Sequence, residues 1–173
     1  MAAATSLREY QLALSERLQS AAAGIRVASK LGVRVRGEDW LVDLSEAGEV
    51  IPVPALSPVP LSRPWFRGVA NVRGNLYSVT DFGMLLGAEP AALTEHARLL
   101  LFADRFRVGA ALLVERALGL RKADDLKPAA ERSSFSNGSR WVRAQYSDAE
   151  GRLWKELDIA ALIQDEAFLE VSL

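Results

Sequence analysis

The chain has 173 residues, half of them hydrophobic and a quarter charged, with a net charge of −1, one histidine and no cysteine. That length fits one domain, or two small lobes sharing a core, and buries enough surface to need no covalent staple. The near-neutral balance gives no field to draw in nucleic acid or anionic lipid, and the missing cysteines exclude disulfides and thiolate metal sites.

In chain order, Ser6 and Glu9 have capping-box spacing and Leu7, Tyr10, Leu14 and Leu18 follow at helical intervals, predicting a helix over 6–22 and a polar linker up to Lys30. Met1 to Thr5 has neither the basic nor the apolar part of a signal peptide, and no run approaches the ~18 apolar residues of a membrane span. The chain is therefore expected in the cytoplasm, without direct membrane insertion.

From Leu31 the period becomes two. Residues 31–35 alternate as a half-buried strand, 37–39 are turn chemistry, and 40–44 return. Residues 50–55 read as extended, with Pro52 and Pro54 confining them to an edge; Pro58, Pro60 and Pro64 mark a loop. Residues 69–72 and 76–79 form a hairpin around Arg73-Gly74-Asn75, after which Thr80 or Asp81 caps a short helix closed by Gly87. Strands are expected at 98–103 and 106–114, a loop over 122–139, and a last hairpin from 141–146 and 152–157. Asp158 then caps a short helix through Ile163.

Gly74, Leu76, Tyr77, Asp81, Leu85 and Leu86 recur 77 residues later as Gly151, Leu153, Trp154, Asp158, Leu162 and Ile163. Each set spells turn, strand, cap and apolar helix face, which predicts a duplicated β-lobe with a groove between the copies. The charges are local: residues 1–36 hold six basic and two acidic side chains, and 37–62 hold five acidic and no basic ones. Solvated strand edges and turns account for most of them, with a patterned docking surface as the alternative reading.

No constellation for catalysis is visible. His96 has no second histidine or cysteine to join it, so it reads as a surface residue. Gly68 and Gly74 bracket residues 69–73 without a following Gly-Lys-Ser/Thr, so they make no phosphate loop. Asp124/Asp125 and Asp148/Glu150 lie in predicted turns, where solvated charge is the ordinary state. Trp40, Trp65, Trp141 and Trp154 are spread through apolar surroundings rather than interleaved with basic residues, which favours packing over nucleic-acid stacking. A non-enzymatic binding module without cofactor or metal is the reading; a nucleic-acid module and an enzyme are the weaker alternatives.

The run from Trp65 to Asp81, with Gly68-Val69-Ala70-Asn71-Val72-Arg73-Gly74 at its centre, resembles the aromatic-x-Gly-Val-x-Asn-hydrophobic-Arg-Gly segment of the CheW family. Glu49-Val50, Val108-Gly109, Val114-Glu115 and Leu157-Asp158 with Leu162-Ile163 are similar to further family pairs, over residues 31–165. Glu115 stands where that family has Asp, and Ala144 where a Gly is common. The wording of the central run and the N-terminal helix resemble the PilI branch, which serves type IV pilus signalling; a flagellar adaptor is the alternative.

The resemblance implies a mainly β fold of two SH3-like five-stranded barrel lobes, over roughly 30–95 and 96–165 within a domain of 30–173, preceded by the helix and linker of 1–29. It implies an adaptor between the cytoplasmic tip of a methyl-accepting receptor and the regulatory domain of a CheA-type histidine kinase, recruited to membrane-associated arrays. In this reading Val50, Val69 and Val72 anchor a receptor hairpin in a groove while Glu49 and Arg73 fix its register. Glu49 and Arg73 can equally be a structural pair across neighbouring strands. Gly68, Asn71, Gly74, Asp81 and Asp158 serve the backbone geometry, and Trp65 and Phe66 are expected in the core.

Overall fold

The computed structural model describes residues 29–129 and 139–173; the helix expected over 6–22 lies outside them. Twelve strands follow one another among these residues: β1 (Ser29–Val35), β2 (Glu38–Asp43), β3 (Ala47–Pro52), β4 (Leu56–Ser57), β5 (Phe66–Val72), β6 (Asn75–Asp81), β7 (Arg98–Phe102), β8 (Ala110–Val114), β9 (Arg116–Lys122), β10 (Lys127–Pro128), β11 (Val142–Ser147) and β12 (Leu153–Leu157). Three four-residue helices accompany them: α1 (Phe82–Leu85), α2 (Ile159–Leu162) and α3 (Glu166–Leu169).

The strands form two six-stranded sheets, ordered β10-β11-β12-β2-β1-β9 and, read from the matching end, β4-β5-β6-β8-β7-β3. The order is the same in both. Each contains one parallel pair at the same place, β12 with β2 and β6 with β8, among antiparallel neighbours. Each expected set of five strands gains a two-residue edge strand, β10 or β4.

The sheets do not divide at residues 95/96. One takes β3 to β8; the other takes β9 to β12 and is completed by the N-terminal hairpin β1–β2 in the places that β7–β8 fill opposite. The repeating unit therefore starts at β3, and the chain crosses between sheets twice, from β2 to β3 and from β8 to β9.

Burial follows from this arrangement. In β7 and β8, Leu99, Leu101, Ala111 and Leu113 fill the interior of the second sheet, while Leu100, Phe102, Leu112 and Val114 face the core shared by both sheets. A strand covered on both faces reads as one apolar run, as residues 98–102 and 110–114 do. The shared core also takes Val33, Val35, Trp40, Phe82, Trp141 and Ile159; Trp40 meets Phe82 edge to face at 5.1 Å. Leu41, Leu126 and Trp154 fill the interior of the first sheet.

Three local expectations differ. Residues 106–109 are not strand, because a 3-10 turn at Asp104–Phe106 ends with Arg107 in the left-handed region. Residues 116–122 form β9 although the pattern shows no strand there, because its alternation is broken by a bulge at Leu118-Gly119, opposite the step from Gly32 to Val33. Trp65 and Phe66 are half-buried and stacked edge to face at 6.5 Å rather than sunk in the core.

Candidate docking site

The β5–β6 hairpin closes in a two-residue turn with Arg73 at φ 52° and Gly74 at φ 89°, the double left-handed geometry that suits the twist of a tight hairpin. Asn71 Oδ1 accepts the Gly74 N–H at 2.8 Å and holds the turn shut. A side chain at Gly74 would meet nothing within 4 Å, whereas a Cβ at Gly68, φ 108°, would lie 2.1 Å from the Ser57 carbonyl oxygen. Gly68 is thus required by the close approach of β4, and Gly74 only by its turn.

The turn presents Arg73 to Glu49 on β3. Nη1 and Nη2 donate to Oε2 and Oε1 at 2.9 and 2.8 Å, a planar two-point fork. β3 and β5 are not neighbours in the sheet; β6, β8 and β7 lie between them, so the fork spans the gap left as the sheet curls. Neither partner is dry: the side chains are 73% and 42% exposed. The hydrogen bonds to Glu49, then its charge, raise the Arg73 guanidinium above its ordinary value.

Ala47, Glu49 and Val50 of β3 also form one wall of a cleft of about 480 Å³, whose other side carries Leu31 and Leu44. Val50 packs against the shared core and Val72 against the interior of the second sheet. Val69 and Val72 do not line this cleft. Leu31 and Leu44 do, and the sequence pattern marks them only as strand residues, because they belong to the hairpin of the other sheet.

Asp81 and Asp158 stand at equivalent positions, at the end of β6 and just after β12. Each caps its helix, accepting the N–H of Met84 at 3.1 Å and of Ala161 at 2.9 Å. Each donates its own N–H to a tryptophan carbonyl, Trp65 or Trp141, at 2.8 Å. Each is met by an arginine two residues after that tryptophan: Arg67 reaches Asp81 at 3.2 Å and Arg143 reaches Asp158 at 3.1 Å. The repeat therefore carries a Trp-x-Arg…Asp lock that sequence comparison of the hairpins alone missed.

In the second copy the lock has grown. Arg143 also donates to buried Glu46, at the β2–β3 crossing, at 2.6 Å, and Arg105 approaches the same oxygen at 3.4 Å. Glu46 in turn accepts the Ile159 N–H at 3.3 Å. Nearby, Glu156, buried where the other copy has Val79, takes Lys30 at 2.6 Å and the Tyr146 hydroxyl at 2.9 Å. The hydrogen bond to Asp158 leads the causes that raise Arg143 above its ordinary value; burial opposes it, and Glu46 adds to it.

His96 is exposed, 3.5 Å from Glu95. Asp148 accepts the Trp154 indole N–H at 3.0 Å and turn N–H groups, which outweigh the upward push of burial and lower its carboxyl. Among the described residues, no three carboxylate or imidazole groups cluster to hold a metal, and no helix is long and apolar enough to cross a membrane.

Two repeated sheets around a shared core, with an open charged fork beside a cleft, define a binding module. A family model of the CheW-like domain matches residues 30–167, and the chain belongs to that family. PilI of Pseudomonas aeruginosa is 33% identical over 93 residues, 54% of this chain and 52% of that protein, so the match spans about half the relative's length. The crystal structure of the scaffolding protein TtCheW from Thermoanaerobacter tengcongensis has the same fold, with a TM-score of 0.61, 14% identity, and coverage of 75% of this chain and 88% of that one.

Proposed function

We propose that this protein is a non-enzymatic adaptor that couples the cytoplasmic tip of a methyl-accepting receptor to the regulatory domain of a CheA-type histidine kinase, in type IV pilus motility. It works in the cytoplasm, recruited to membrane-associated receptor arrays. Membership of the CheW-like family and similarity to PilI support the reading. The observation that carries the site is the exposed Glu49–Arg73 fork beside the cleft at Val50.

The cleft offers apolar walls for a helical hairpin, and the fork offers two fixed charges at its rim to set the register. Val69 and Val72, on the strand leading to the fork, extend the contact outside the cleft. Because the fork is solvated, it contributes little to folding and is free for recognition.

Calorimetric titration with a receptor-tip hairpin and with the kinase regulatory domain tests the adaptor. Binding of both near micromolar Kd, about −8 kcal/mol, is expected. Arg73→Glu should abolish hairpin binding with an unchanged melting temperature. A large fall in melting temperature would make the fork structural, and binding of neither partner by the native protein would overturn the adaptor.

A further inference from the structure

The duplicated fold has two sheet crossings, and the second also has a cleft. Where β8 passes into β9, a cleft of about 530 Å³ has an apolar floor that includes Val35 and Leu113, and its wall carries Arg34, Arg36 and Arg116 with Glu89 and Glu115. The first cleft has a single charged lining residue, Glu49. Duplication thus left one apolar groove and one rimmed with arginine.

The arginines are not equivalent. Arg34 donates through Nε and Nη2 to one oxygen of Asp39, at 2.8 and 2.6 Å. Arg36 donates to the Leu86 carbonyl at 2.9 Å, and Glu115 accepts the Gly37 N–H at 3.3 Å. Arg116 has no carboxylate partner among the described residues, yet it lies directly opposite Arg34 across the β1–β9 ladder. Cross-strand partners share a face with their Cβ atoms ~5 Å apart, and like charges so placed repel. A carboxylate entering the cleft between them would relieve that repulsion and complete the pairing that Asp39 makes on one side only.

We propose that this second cleft is the docking site for an acidic segment of a partner protein, a carboxylate of which bridges Arg34 and Arg116. The apolar floor takes small aliphatic side chains flanking that carboxylate. A protein segment is favoured over nucleic acid because no aromatic side chain lines the cleft to stack a base. The inference extends the adaptor reading, since bridging two partners needs a second surface.

The test is fluorescence anisotropy with a labelled peptide of about twelve residues alternating Glu or Asp with Ala or Leu, beside a Lys-substituted peptide and an oligothymidylate. Saturable, salt-sensitive binding of the acidic peptide alone is expected, weakened about tenfold or more by Arg116→Glu and unchanged by Arg73→Glu. Arg116→Gln should lose binding while keeping or raising the melting temperature, because it removes the like-charge opposition; this separates lost docking from lost folding. Absence of saturable binding, equal binding by Arg116→Glu, or equal affinity for the oligothymidylate would overturn the proposal. Titration of the same protein with the receptor hairpin reports separately: peptide binding without hairpin binding upholds the cleft and overturns the adaptor, and the reverse overturns the cleft alone.

Discussion

At the scale of single residues, similar side chains carry different loads because their surroundings differ. Asp81 is fully buried, with Arg67, the Met84 N–H and the Ala91 N–H as partners, while Asp158 keeps a quarter of its side chain in water. Asp81→Ala should cost about 3 kcal/mol, since it strands a half-buried arginine and two amides. Asp158→Ala should cost about 1 kcal/mol, chiefly the lost cap, because Arg143 retains Glu46. Urea denaturation of the two variants compares them directly. Gly68→Ala forces a Cβ onto the Ser57 carbonyl and should cost about 3 kcal/mol or more, whereas Gly74→Ala meets only backbone strain of about 1 kcal/mol. Equal losses at the two glycines would mean that β4 does not press on β5 as described.

At the scale of elements, the short connection from β2 to β3 adds a polar link between the sheets to their shared apolar core. Glu46 sits in it with 3% exposure and gathers Arg143, Arg105 and the first amide of α2. Glu46→Ala should destabilise by about 2–4 kcal/mol; the lower part of the range applies because Arg143 is 37% exposed and water can take over some of its hydration. Hydrogen exchange should then quicken at Ile159 and the start of α2 more than in β7 and β8, which the network does not touch. Uniform quickening would show that the connection is no special link. The hairpin β5–β6 differs: its tip reaches solvent, with Leu76 67% exposed, so substitutions there should leave the melting temperature nearly unchanged.

At the scale of the whole molecule, the same network sets the response to acid. Burial pushes the carboxyls of Asp158 and Asp43 up, but the hydrogen bonds of Arg143 and of the helix amides to the first, and of Ser45 to the second, outweigh it and hold both below the ordinary carboxylate value. A depressed folded-state pKa contributes stability that is present above the unfolded pKa of ~4 and is lost as pH falls through the folded value. Melting temperature should therefore hold down to about pH 4 and fall below it, and Asp158→Asn should flatten that fall. A decline already complete by pH 5 would assign the acid sensitivity to other groups.

The sequence by itself determined the strands whose sides differ, the two helix caps and the repeat at 77 residues, because alternation, caps and turn glycines are short-range properties that neighbouring residues settle. It also singled out Arg73, in the family-like run of 65–81, and Glu49, in a family-like pair upstream of it. It could not divide the sheets, since β1–β2 completes a unit that begins at β9, and that choice depends on which apolar face finds which across more than 70 residues. Nor could it tell a dry pair from a solvated one, or show that Leu31 and Leu44 wall the cleft with Val50. Burial and cleft walls are set by how two curled sheets meet, and only the tertiary structure decides that.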